Sequence, residues 1–135
     1  MASFLRRLRG DHGAVSTQLV LVVPALLLLA LLIVQFALVW HARHIAQYAA
    51  QRALAAARAE NATTADGQAQ ARSSLAALGS RVLTAPSVSV DRTTARTTVR
   101  VDGVVIPVVP GLTLHASGTA SGPTEKVTFP DGGRP

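Results

Sequence analysis

Apolar and polar positions divide this chain into stretches of different period. After a short, polar and basic start, Leu19 to Trp40 (LVLVVPALLLLALLIVQFALVW) runs for 22 residues without a charge. As a helix rising 1.5 Å per residue, that run is about 33 Å long, enough for the hydrocarbon core of a bilayer. A secretory signal has a shorter apolar region and then a small-residue cleavage site. Here Trp40, His41, Arg43 and His44 follow instead, residue types that suit a membrane interface. The pattern therefore predicts a transmembrane helix over residues 14–40 that stays in the membrane. Pro24 lacks an N–H and leaves the Val20 carbonyl without its helical partner, which predicts a local kink or loosening. Gln35 is a polar amide in an apolar run. Its pattern leaves two readings open, a hydrogen bond to a neighbouring helix or a place near the outer interface, five residues before Trp40.

Beyond the span, His41 to Arg58 (HARHIAQYAAQRALAAAR) is rich in good helix formers and has no Gly or Pro. The membrane helix is expected to continue into it as a stalk over residues 41–60. Ile45, Tyr48, Ala49, Arg52, Ala55 and Ala56 form its expected contact face, mostly small and apolar. Asn61 to Gly67 (NATTADG) breaks the pattern with turn formers and a cap at Thr64. A second helix follows from about Ala65 to Leu83, with Ala71, Leu75, Leu78 and Val82 as an amphipathic stripe that Gly79 weakens.

From Pro86 the period changes to two. Val88 and Val90, then Val99 and Val101, then Leu112, Leu114 and Ala116 alternate with polar neighbours, the pattern of strands with one face buried. Asp102-Gly103 is a hairpin signal, and Asp91 to Thr94 can also hold the first turn. Pro107 and Pro110-Gly111 mark a loop before the third strand. The expected fold class is α+β and membrane-anchored: a long N-terminal helix extended into a stalk, a second amphipathic helix, and an antiparallel sheet of three strands packed on that second helix. Residues 61–125 hold the helix and sheet, and residues 126–135 form a flexible tail.

Composition narrows the function classes. The chain has 135 residues, room for one domain at most, and its 49% hydrophobic content is concentrated in the span. Roughly 95 residues remain to fold outside lipid, near the lower limit for a self-sufficient core, so docking on a partner is expected. The net charge of +6 comes almost wholly from arginines spread along the chain, with 4% aromatic residues, which argues against a nucleic-acid footprint. Arg6, Arg7 and Arg9 favour an N-terminus inside the cytoplasm and a C-terminal domain outside, and Arg43, Arg52 and Arg58 partly offset that bias.

The absence of cysteine excludes disulfides and thiolate metal sites. His41 and His44 are three apart on one helical face, without obvious third and fourth ligands, so no metal is assigned. His115 reads as surface, and Asn61-Ala62-Thr63 as a chance glycosylation motif. No nucleophile elbow, HExxH, phosphate-binding or dinucleotide pattern occurs, so neither catalytic residues nor a cofactor are assigned.

The stretch Gly13-Ala14-Val15-Ser16-Thr17-Gln18, between a basic leader and the apolar run, resembles the processing site of type IV pilin-like proteins. With the order of elements and the ending Ala120-Ser121-Gly122-Pro123-Thr124-Glu125, the chain is similar to the TadE-like family, minor-pilin-like components of tight-adherence (Flp) pilus machinery. The resemblance implies a leader, residues 1–13, cut by a prepilin peptidase between Gly13 and Ala14. It also implies contacts with membrane lipid, with other pilin-like subunits and with pilus or secretion platform proteins, and residence in the cytoplasmic membrane. The family usually carries Glu at the fifth mature position, where this chain has Gln18. An amide accepts hydrogen bonds but cannot neutralise a neighbouring subunit's terminal ammonium. That departure suits an accessory component better than a major pilin, and it supports an alternative: an unprocessed single-pass adaptor with an extracytoplasmic binding domain.

Overall fold

The structure, a computed structural model, describes the backbone of residues 2–126 and the side chains of residues 15–126. Five elements follow in order: α1 (Ala2–Arg58), α2 (Thr64–Leu78), β1 (Leu83–Arg92), β2 (Arg96–Val105) and β3 (Leu114–Pro123). The expected α+β architecture is present, with a long apolar first helix, a second helix and a three-stranded antiparallel sheet in the order β1-β2-β3. The expected tail, except Lys126, lies outside the described residues.

One continuous helix contains both the apolar run and the stalk. From Val15 onward α1 is long and apolar enough to cross a membrane, and the most apolar part of it is almost wholly uncovered by protein. Farther along, Ala42, Ile45, Ala46, Ala49, Ala50, Ala53 and Ala57 are buried. This differs from the face read in the sequence. Of the six residues expected there, Ile45 and Ala49 are buried, while Tyr48, Arg52 and Ala55 face outward. Arg52 lies over the Tyr48 ring at 5.8 Å, a cation–π distance. The reason is steric: α1 packs against both the sheet and α2, so it needs a wide face of methyl groups, and Tyr and Arg are displaced from it.

The sheet packs chiefly on α1 through β2 and β3, and α2 lies alongside α1 and touches β1. The expectation that the sheet rests on the second helix is thereby corrected. Val99, Val101 and Val105 of β2, with Ala116 and Ala120 of β3, supply the covered face. Val101 pairs with Gly118 and Val99 with Ala120. A Cβ on Gly118 would overlap the backbone of Ala46 and Gln47, so the strand and helix main chains meet there with no room for a side chain. Eight of the fourteen residues in the core cluster are alanines, and none is aromatic. The larger members, Ile45, Leu75, Leu83, Val99, Val101 and Val105, each contribute roughly 1.5–3 kcal/mol when fully buried.

The second helix is shorter than the sequence suggested. It ends at Leu78, with the N–H of Gly79 donating to the Leu75 carbonyl at 2.7 Å, and Leu83 opens β1 instead of closing the helix. Leu78 is exposed, and the buried positions are Gly67, Ala71, Ser74 and Leu75. The cap is Thr63, one residue before the expected Thr64. Thr63 and Asp66 form a reciprocal capping box, in which the Thr63 N–H donates to Asp66 at 2.6 Å and Asp66 N–H donates to Thr63 Oγ1 at 3.3 Å. Hydrogen bonds from the Thr63 backbone and then its hydroxyl hold the Asp66 carboxyl below its ordinary pKa.

Of the two hairpin readings, the structure takes the turn at Asp91 to Thr94 and not the one at Asp102-Gly103. The chain turns between Arg92 and Arg96, with the Thr93 N–H donating to the Arg96 carbonyl at 2.8 Å. Asp102 and Gly103 lie within β2. Gly103 is needed for another purpose, since a Cβ there would stand 2.5 Å from Leu83 Cγ. Asp102 instead accepts from Arg100 Nε at 2.7 Å, which raises the Arg100 pKa. β1 carries a register shift between Thr84 and Ser87, where Ala85 has φ +46° and Pro86 sits on the edge strand.

Because the helix–strand approach at Gly118 excludes a side chain, Gly118→Val is expected to destabilise the packing of sheet on helix by about 3 kcal/mol or more. Ser121→Val, on the exposed face of the same strand, is expected to stay within about 0.5 kcal/mol. Thermal unfolding in mild detergent, followed by circular dichroism, checks the pair.

Candidate functional site

The side chain that joins the apolar run to the sheet's β2–β3 loop is Gln35. In the helix it is 0% exposed, although its neighbours Val34 and Phe36 are exposed. Its amide is taken up by the loop between β2 and β3. Val108 N–H donates to Gln35 Oε1 at 2.6 Å, Val109 N–H donates to the same oxygen at 3.3 Å, and Gln35 Nε2 donates to the Ile106 carbonyl at 3.3 Å. The sequence left Gln35 between a neighbouring helix and the interface. The structure gives it a partner that sequence alone did not suggest, the chain's own loop more than seventy residues away.

Three further contacts continue this seam along α1. Gln47 Nε2 donates to the Thr119 carbonyl at 2.9 Å and its Oε1 accepts from Thr119 N–H at 3.1 Å, so one amide occupies both backbone groups on the outer edge of β3. At the end of the helix Arg58 meets Glu125 at 3.3 Å, and Glu125 N–H donates to the Arg58 carbonyl at 3.0 Å. Arg92 Nη2 donates to the Ala59 carbonyl at 3.3 Å, just past the helix end. The side-chain ion pair is exposed and contributes little, about 0–1 kcal/mol. The two glutamines matter more for geometry, because each satisfies backbone groups outside regular pairing.

The other positions singled out in the sequence are separate from this seam. The side chains of Gly13 and Ala14 lie outside the described residues. Gln18 is exposed beside Val15, Leu19 and Val22. Pro24 is exposed, and α1 continues on both sides of it. The structure does not bring Gln18, Pro24 and Gln35 together.

His41 and His44 are exposed, and His44 makes an edge contact with Trp40 at 5.3 Å between ring centres. His115 is exposed on the outer face of β3. No group of three or more His, Cys, Asp or Glu that could hold a metal occurs among the described residues. An open groove between α2 and β1 is lined by Arg72, Leu75, Leu83 and Pro86 among others. The arrangement is a bare apolar rod whose far half is clad by the chain's own sheet and second helix.

Residues 13–58 match the family model described as TadE-like protein. The match opens on Gly13 and closes on the last residue of α1, which shows the TadE-like resemblance over that segment. No curated protein and no solved structure matches the chain.

Gln35→Leu keeps the helix apolar and removes the acceptor of Val108 and Val109. Each buried N–H left without a partner costs about 1–3 kcal/mol. Amide exchange at Val108 and Val109 is expected to accelerate roughly tenfold to a hundredfold on that free-energy scale. Exchange in the Val99–Val101 core is expected to stay slow.

Proposed function

We propose that this chain is a pilin-like, TadE-like membrane component of tight-adherence pilus assembly or a related secretion apparatus, acting through contacts between subunits. The family match over residues 13–58 carries the reading, because it includes the leader's final glycine, the whole apolar run and the stalk. Under this reading a prepilin peptidase cuts between Gly13 and Ala14 on the cytoplasmic face. The apolar helix then holds the protein in the cytoplasmic membrane, with its C-terminal domain outside. Other pilin-like subunits and platform proteins meet the exterior domain and the exposed side of α1. The role is mechanical: no bond is made or broken by this chain.

Gln18 favours a second reading, an unprocessed single-pass adaptor with an extracytoplasmic binding domain. It stands where the family's pairing carboxylate is expected, and an amide leaves a terminal ammonium near lipid uncompensated.

The two readings differ at the N-terminus. Intact-mass measurement of protein extracted from membranes that contain a prepilin peptidase is expected to find Ala14 as the first residue. Met1 retained under those conditions contradicts processing and favours the adaptor.

A further inference from the structure

The loop between β2 and β3 meets α1 inside its apolar run. Gln35, which holds the loop, precedes Trp40 by five residues, about 7.5 Å along a helix. On the open side of α1, Phe36 and Trp40 are 62% and 68% exposed. Trp favours the membrane–water interface. A bilayer whose boundary lies at Trp40 therefore surrounds the level of Gln35, and the loop is at that depth with it.

The loop's chemistry suits that depth. From Gly103 to Leu114 the chain carries no charged residue, and its tip reads Ile106-Pro107-Val108-Val109-Pro110-Gly111-Leu112. Irregular backbone is tolerated near lipid only when its polar groups are satisfied internally. Here Ile106 N–H donates to the Val82 carbonyl at 3.0 Å and the Ile106 carbonyl accepts from Gln35. Val108 and Val109 donate to Gln35, and Leu112 N–H donates to the Val109 carbonyl at 3.2 Å. Pro107 and Pro110 have no N–H to satisfy. Gly111, at φ +79°, closes the turn after Pro110, as a type II turn requires. Pro107 and Pro110 are nevertheless exposed, so the apolar tip faces outward from the protein.

We propose that the β2–β3 loop is a membrane foot, inserted into the lipid leaflet on the exterior domain's side and continuous with the bare apolar surface of α1. The foot gives the domain a second point of attachment beside the helix, so the sheet stands against the bilayer in one orientation instead of swivelling on a stalk. This inference rests on the reading of α1 as a membrane span.

The absence of native cysteine makes a single introduced thiol unique. Pro107→Cys and Pro110→Cys test the foot, Leu28→Cys reports the mid-span, and Thr94→Cys reports the opposite hairpin. Each full-length variant is labelled with an environment-sensitive fluorophore in phosphatidylcholine–phosphatidylglycerol vesicles. It is then quenched either by spin-labelled lipid or by aqueous iodide. Labels at 107 and 110 are expected to lose most of their emission to the lipid quencher, as at 28, and the label at 94 to lose it to iodide. Loop labels quenched only by iodide, with 28 still lipid-quenched, overturn the foot and leave the span intact. Loop labels shielded from both quenchers place protein there and overturn the foot in favour of subunit docking. A label at 28 that lipid does not quench overturns the span and the foot together.

Discussion

At Gly118 the main chain of β3 passes so close to α1 that no side chain fits between them, and the packing of the sheet on the helix is arranged around that approach. Ala42, Ala46, Ala49, Ala50 and Ala53 put only methyl groups on the buried sides of the helix, and the buried positions of the strand are Ala116, Gly118 and Ala120. Small residues on both sides let two backbones come together, and the larger valines of β2 then fill the space beside them. A side chain at Gly118 would force β3 off the helix. Because β2 pairs with β3 and β1 with β2, the whole sheet would move with it.

This packing divides one helix between two solvents. Its lower part bears Val, Leu and Ile side chains that are exposed among the described residues, and its length and hydropathy suit a bilayer core. Its upper part is the central element of a small core that has few large side chains and no aromatic ones. A unit of that size gains little from bulk burial alone. It compensates by satisfying backbone groups with side chains at both ends and the middle of the seam, through Gln35, Gln47 and Arg92. The apolar rod and the folded part are thereby one structure.

Much of this was legible in the residues. The uncharged run, the break at Asn61 to Gly67 and the alternation after Pro86 have distinct periods, so the helices and three strands could be read. The contacts between elements could not. A stripe of alanines has no strong hydrophobic direction, so the buried face of α1 was assigned to Tyr48 and Arg52 as well. Asp102-Gly103 suggested a turn because glycine permits one, whereas at this position it clears space for Leu83. The stripe on the second helix included Val82 because period alone cannot see that the helix ends at Leu78. Gln35 was visible as an anomaly, but its partner lies more than seventy residues away and no local pattern names it.

The central claim is that membrane span and core helix are a single unbroken element. Hydrogen exchange of the full-length chain in bilayer nanodiscs addresses it directly. The account requires slow backbone exchange from Leu19 through Ala57, with no gap where lipid cover gives way to sheet cover. A rapidly exchanging segment between Phe36 and His44 would separate an anchor from a tethered domain and contradict it.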